Sequence, residues 1–170
     1  MKRLTLVRHA HAKMQNPPVT DFERPLSRRG KSEAKETALL LREQGLTPDL
    51  MIASPAKRTL QTAQILVREL QIPERHLRHD ETLYLAKADA LLNVIRATGP
   101  RIEHLMIIGH NPGVSVLANI LAPEAALGEF TTAAACTMEF EVGSWSAINA
   151  GSATKVARKS RAPRLFRLFK

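Results

Sequence analysis

A chain of 170 residues with 44% hydrophobic residues fills one core, and its length gives no reason to expect a second domain. Its lone cysteine, Cys136, excludes an intrachain disulfide and any cysteine-rich metal framework; with no leader core and no apolar run of ~20 residues, a cytoplasmic chain without a membrane span is expected. The formal net charge of +9 belongs to one end, because from Gly143 onward there are seven Lys or Arg and no Asp or Glu, leaving only +2 for residues 1–154.

In chain order, Leu4-Thr5-Leu6-Val7 reads as a short apolar strand running into Arg8-His9-Ala10. A polar, proline-bearing loop over residues 12–25 follows, kept extended by Pro17-Pro18. Ser27 then caps a helix in which Ala34, Ala38 and Leu41 recur at i, i+4 and i+7, and Gly45 stands where such a helix ends. The next unit repeats the plan. Residues 49–53 read as a buried strand, Ser54-Pro55 supplies an N-cap and an N1 proline, and a helix over 55–70 aligns Leu60, Ala63, Val67 and Leu70. Arg58 falls in its first turn.

A weaker strand is expected over residues 77–83, then a helix over 87–98 stopped by Gly99-Pro100. Leu105-Met106-Ile107-Ile108 is the clearest strand, and it runs into Gly109-His110-Asn111-Pro112-Gly113 and a helix over 114–121. Cys136 lies in an apolar run and reads as a small buried hydrophobe. Residues 137–142 and 145–149 read as a closing hairpin around Gly143-Ser144, with Trp145 as a packing residue.

Alternating strands and helices with short apolar strands predict an α/β fold: a three-layer αβα sandwich with a mostly parallel sheet, helices on both faces and an antiparallel edge near the C-terminus. Ligands of such sheets bind beyond the carboxyl ends of the strands. Arg8 and His9 follow the first strand, Arg58 the second and His110 the fourth, so all four emerge at one edge.

These groups suit a phosphoryl group. Its transfer is catalysed mainly by positioning and by cations that match the charge on its oxygens. Arg8 and Arg58 offer planar forks for those oxygens, and the helix N-terminus at Arg58 adds partial positive charge. A neutral imidazole, His9, is placed to attack phosphorus and form a phosphohistidine that water then hydrolyses. His110 stands opposite as a hydrogen-bond donor. Neighbouring cations oppose its protonation and a bound phosphate favours it.

Arg8-His9-Ala10, Leu26-Ser27-Arg28-Arg29-Gly30, the run from Ser54-Pro55 through Arg58 to Ala63, and Gly109-His110-Asn111-Pro112 together resemble the ordered motifs of the histidine phosphatase superfamily, the phosphoglycerate mutase-like proteins. Compactness and Arg24-Pro25-Leu26 resemble its short SixA-like phosphohistidine phosphatases in particular. The resemblance covers most of residues 1–149. It implies a histidine phosphatase domain over 1–154, followed by a basic tail over 155–170 that lies outside it. It implies His9 as the phosphorylated nucleophile, with Arg8, Arg58 and His110 completing a pocket for phosphate or sulfate. Arg24 and Asn111 are further candidates for substrate contact, and a solvated loop arginine is the other reading of Arg24.

Two departures from the family pattern stand out. Ala10 replaces the usual glycine and adds a methyl near the expected phosphate. The region 83–87 is also too short for the insertion that carries a general acid in larger members, leaving Asp80 and Glu81, or Asp21 and Glu23, as candidate acids or as surface charges. An alkoxide leaving group needs such an acid, whereas an imidazole leaves readily once its other nitrogen is protonated. The expected substrate is therefore a phosphohistidine protein of the phosphorelay type, hydrolysed without metal or other cofactor. The same mechanism on small phosphate esters is the alternative.

Three further readings compete. His9, His11 and His110 suggest a metal site, but Arg8 and Arg58 would make a dication costly there. A non-enzymatic phosphate-binding scaffold has no need of the nucleophile. A mutase would need the insertions this chain lacks. The tail, with Lys155, Arg158, Lys159, Arg161, Arg164, Arg167 and Lys170, is either a solvated segment or an arm for RNA, an anionic membrane surface or an acidic partner.

Overall fold

The computed structural model describes residues 1–14 and 20–159. Six strands form one sheet: β1 (Lys2–Arg8), β2 (Leu50–Ala53), β3 (Leu77–His79), β4 (His104–Gly109), β5 (Ala135–Phe140) and β6 (Lys155–Lys159). Their order is β3-β2-β4-β1-β5-β6. The first four are mutually parallel, and β5 and β6 add on antiparallel.

Four helices cover the sheet: α1 (Arg28–Glu43), α2 (Lys57–Glu69), α3 (Ala88–Arg96) and α4 (Gly113–Leu121). Alternation along the strands sorts the core into two layers. Leu4, Leu6, Leu105 and Ile107 face the cluster that holds Leu91, Ile95, Val114 and Leu117 of α3 and α4. Val7, Met51, Met106 and Ile108 face Ala38 and Leu41 of α1 with Ala63 and Leu66 of α2. The three-layer αβα sandwich with an antiparallel C-terminal edge is thus the observed fold. Among the described residues no helix is long and apolar enough to cross a membrane.

Two glycines clamp loops onto helix starts. A Cβ on Gly30 would stand 2.1 Å from the His11 carbonyl oxygen, and one on Gly113 would stand 2.0 Å from that of Ala86. Only a bare Cα allows α1 and α4 to approach so closely. Ser27 caps α1 as expected, accepting from the Gly30 N–H at 3.0 Å, and it meets His11 Nδ1 at 2.8 Å. Gly45, at φ +66°, follows the end of α1.

Four expectations need correction. The third strand stops at His79, because the Asp80 side chain accepts from the Thr82 N–H at 2.9 Å and starts a 3₁₀ turn, Glu81–Leu83. Ser54 does not cap α2. The helix begins at Lys57 with Ala56 at its N-cap, and the Ser54 hydroxyl faces His110 instead.

The expected hairpin around Gly143-Ser144 does not form. Trp145–Ala147 is a 3₁₀ turn, because the Trp145 ring is buried and its indole N–H donates to the Ile102 carbonyl at 2.8 Å. The partner of β5 is β6, with Glu139 opposite Lys155 and Ala135 opposite Lys159. The boundary expected after residue 154 therefore falls inside the sheet. Val156 packs against the core, and the Arg158 guanidinium donates to the Leu127 and Glu129 carbonyls while lying 5.0 Å from the Phe130 ring centroid. Residues 160–170 of the expected tail lie outside the described residues.

Candidate active site

The carboxyl ends of β1, β2 and β4 point the same way, and they bring the four expected side chains together. His9 follows β1, Arg58 sits in the first turn of α2 beyond β2, and His110 follows β4. Arg58 Nε lies 3.3 Å from His9 Nε2, and Arg58 Nη2 lies 3.3 Å from His110 Nδ1. The two imidazoles meet edge to face with centroids 5.2 Å apart. Arg8 is held by the Phe130 carbonyl, to which Nη1 donates at 2.6 Å. Among the described residues its buried Nε–H has no hydrogen-bond partner, which suits it to donate to an anion.

Local bonds set the His9 tautomer. Nδ1 lies 2.8 Å from the Ala10 carbonyl oxygen, which only accepts, so Nδ1 carries the proton and Nε2 presents its lone pair toward Arg58. Burial above all, joined by Arg58, Arg8 and Arg24 and opposed by that hydrogen bond, lowers the His9 pKa to about 4. His9 is therefore neutral and nucleophilic at neutral pH. The Ala10 methyl packs into a small cluster with Leu26, Ala34 and Ala133, and its N–H donates to Thr62 Oγ1 at 3.1 Å. Thr62 in turn donates to the Arg58 carbonyl, tying the turn after β1 to the first turn of α2.

His110 is buried, and its Nε2 lies 2.7 Å from Ser54 Oγ. Because an arginine only donates, Nδ1 accepts from Arg58 and Nε2–H donates to Ser54. Burial, His9 and Arg58 push the His110 pKa down to about 3, so without a phosphate the ring is neutral.

The remaining candidates divide. Arg24 reaches the site: its Nη1 bonds Asp21 Oδ1 at 3.1 Å, and its charge acts on His9. Asn111 has another task, because its amide donates to Glu129 Oε1 and to the Phe130 carbonyl while its oxygen accepts from Ser115. It thus holds the loop that holds Arg8. Asp80 is spent on Thr82, and Glu81 is exposed with no contact to the four pocket residues. His11 is turned toward Ser27, away from His9 and His110.

Two participants were not legible as such. The Asp21 carboxylate accepts from Arg58 Nη2 at 2.9 Å and from the Tyr84 hydroxyl at 3.0 Å. Burial works against its charge, but Arg58, Tyr84 and Arg24 outweigh it and hold the carboxyl below its ordinary value. It is an anion at neutral pH, not a proton donor. The Tyr84 ring also stands edge-on to His110 and to Phe22, with centroids 5.7 and 5.2 Å away. Asp21 and Tyr84 come from separate loops, and no local sequence signal pairs them.

A buried neutral imidazole facing one guanidinium, with a second guanidinium and a second imidazole beside it, is chemically suited to nucleophilic attack on a phosphoryl group. The chain is similar to several known proteins. The model of the histidine phosphatase superfamily (branch 1) matches residues 4–83. An uncharacterized protein of Mycobacterium tuberculosis is 30% identical over 156 residues, covering 86% of this chain and 95% of that protein. An uncharacterized chloroplastic protein of Arabidopsis thaliana is 30% identical over 129 residues, covering 71% of this chain and 59% of the longer plant protein.

Among solved structures, a protein assigned as the phosphohistidine phosphatase SixA from Agrobacterium tumefaciens superposes with a TM-score of 0.76 at 28% identity, covering 82% of this chain and 92% of its own. The protein histidine phosphatase SixA complexed with tungstate has the same fold, with a TM-score of 0.76 at 22% identity, over 91% of this chain and 95% of that one. The chain belongs to the histidine phosphatase superfamily and is a SixA-like phosphatase.

Proposed function

We propose that this phosphatase removes the phosphoryl group from a phosphohistidine protein through a phospho-His9 intermediate. The observation that carries the reading is the hydrogen bond from His9 Nδ1–H to the Ala10 carbonyl, which leaves Nε2 unprotonated and facing the Arg58 Nε–H. In the first step Nε2 bonds to phosphorus as the bond to the substrate nitrogen breaks, with Arg58 and Arg8 holding the oxygens. His110 gains a proton or turns its N–H toward the phosphate when that charge arrives. Water then attacks phospho-His9 and inorganic phosphate leaves.

The substrate class follows from what stands around the pocket. The chain passes from the 3₁₀ turn Glu81–Leu83 to α3 through residues 84–87 alone, and Gly113 packs on Ala86 there. Among the described residues no insertion follows the third strand, which favours a substrate on a protein surface. Asp21, the carboxyl bonded to Arg58, is held ionised and gives an alkoxide no proton. An imidazole needs none from the enzyme once its far nitrogen is protonated. A tetrahedral oxyanion such as phosphate is expected to bind among Arg8, Arg58 and His110, in keeping with the tungstate complex of the similarly folded SixA. A cytoplasmic phosphorelay-type partner goes with this reading.

The test is incubation with a phosphorylated phosphorelay histidine domain and, separately, with a panel of small phosphate esters, using wild type and His9→Ala. Turnover of the phosphodomain by wild type and none by the variant is expected. Turnover confined to small esters would reject the substrate and keep the mechanism.

A further inference from the structure

Arg58 is divided among three neighbours, His110 at Nη2 being one of them. Its Nε faces His9, while Nη1 donates to the Asp21 carbonyl and Nη2 donates to the Asp21 carboxylate. Arg24 and Tyr84 complete the grip on that carboxylate. The 3₁₀ turn that carries it, Asp21–Glu23, has no buried residue, and the Asp21 side chain is 43% exposed. A fixed anion therefore stands where solvent meets the phosphate-binding guanidinium, on the side of Arg58 away from His9.

A carboxylate has about four acceptor directions. Oδ2 spends two, on Arg58 and Tyr84, and Oδ1 spends one on Arg24, so among the described residues Oδ1 retains one. We infer that Asp21 determines leaving-group specificity: its carboxylate accepts the N–H of a departing imidazole and repels leaving groups that are themselves anionic. The inference rests on the phosphohistidine reading above and names a residue within it.

The chemistry balances. His9 Nε2 gives its lone pair to phosphorus, and the electrons of the breaking phosphorus–nitrogen bond stay on the substrate nitrogen. The proton on the other nitrogen of that ring stays in place, and a neutral imidazole leaves. Only the ring protonated at that far nitrogen departs readily, and an adjacent carboxylate raises its pKa and so the reactive fraction. A phosphoglycerate or a bisphosphate, by contrast, brings a second anion to the same place, where like charge opposes it.

The experiment compares wild type with Asp21→Asn on a phosphorylated phosphorelay histidine domain, on 3-phosphoglycerate and on p-nitrophenyl phosphate, with vanadate inhibition as a measure of the Arg58 pocket. The ratio of kcat/KM on the phosphodomain to that on 3-phosphoglycerate is expected to fall about tenfold or more. The alkaline limb of kcat/KM on the phosphodomain should move to lower pH, and vanadate inhibition should change by less than about threefold. An unchanged ratio, an unmoved limb, or vanadate binding weakened in step with turnover would overturn the inference, because Asp21 would then act only by holding Arg58. No wild-type turnover of the phosphodomain would instead overturn the substrate reading on which the inference rests.

Discussion

The parallel part of the sheet, β3-β2-β4-β1, and its antiparallel edge, β5-β6, are built from different kinds of sequence and carry different burdens. Each parallel strand leads into a helix of its own, and the segments just after β1, β2 and β4 deliver pocket residues. The antiparallel edge contributes none of the four pocket side chains. It closes the sheet beside β1 and, through Arg158 on the Leu127 and Glu129 carbonyls, braces the loop whose Phe130 carbonyl holds Arg8. One side carries the pocket side chains and the other holds them in place, which should separate effects on turnover from effects on stability.

The sharpest way to break this division is His9→Ala. Turnover should fall on the order of 10⁴-fold with stability nearly unchanged, and acid quenching should trap no labelled phosphoenzyme. Trp145→Ala is its counterpart beyond β5. Loss of a buried indole and its bond to Ile102 should cost about 3–5 kcal/mol in denaturant unfolding, with kcat/KM of the folded protein within about threefold of wild type. Arg58→Ala should lower kcat/KM by about 10²–10³-fold on every phosphoryl substrate, read from initial rates.

Gly30→Ala should blur the division. Its new Cβ would press on the His11 carbonyl, so a loss of about 1–3 kcal/mol is expected together with a lower kcat, because the turn that carries His9 must shift. A stability loss with kcat intact would show that α1 does not position the nucleophile.

The smallest effect is that of pH. His9 stays neutral down to about pH 4, so kcat/KM should lack the acid limb near 6.5 of an ordinary histidine and fall only as pH approaches 4. Stability has a different window. His9, His104 and His110 have folded pKa values of about 4, 4 and 3, below the ordinary 6.5, so the unfolded chain binds more protons between those limits. Their contribution is full above pH 6.5 and is lost as pH falls toward 4, which a Tm series across that range will read.

The legibility of the sequence follows the same division. Arg8, His9, Arg58 and His110 could be placed at one edge because each lies at most five residues beyond an apolar run whose direction the βα plan dictates. The edge strand could not. Lys155-Val156-Ala157-Arg158-Lys159 has no apolar alternation, since only Val156 packs inward and Arg158 bonds along its length to carbonyls. Trp145 was misplaced for a related reason: a buried indole in a 3₁₀ turn looks, in one dimension, like the start of a strand. Gly30 and Gly113 stood inside motifs that read as catalytic, but their work is close packing.

By itself the sequence determined the alternating strand–helix plan of the parallel half and the gathering of Arg8, His9, Arg58 and His110 at one sheet edge, because periodicity and strand-end position are local properties of the chain. Only the tertiary structure decided that Asp21 is an ionised partner of Arg58, that Asn111 braces the Phe130 loop, and that the chain re-enters the sheet at Lys155. Those outcomes depend on groups distant in sequence competing for the same donors, and a donor's choice among acceptors is set by distance and burial in the folded state.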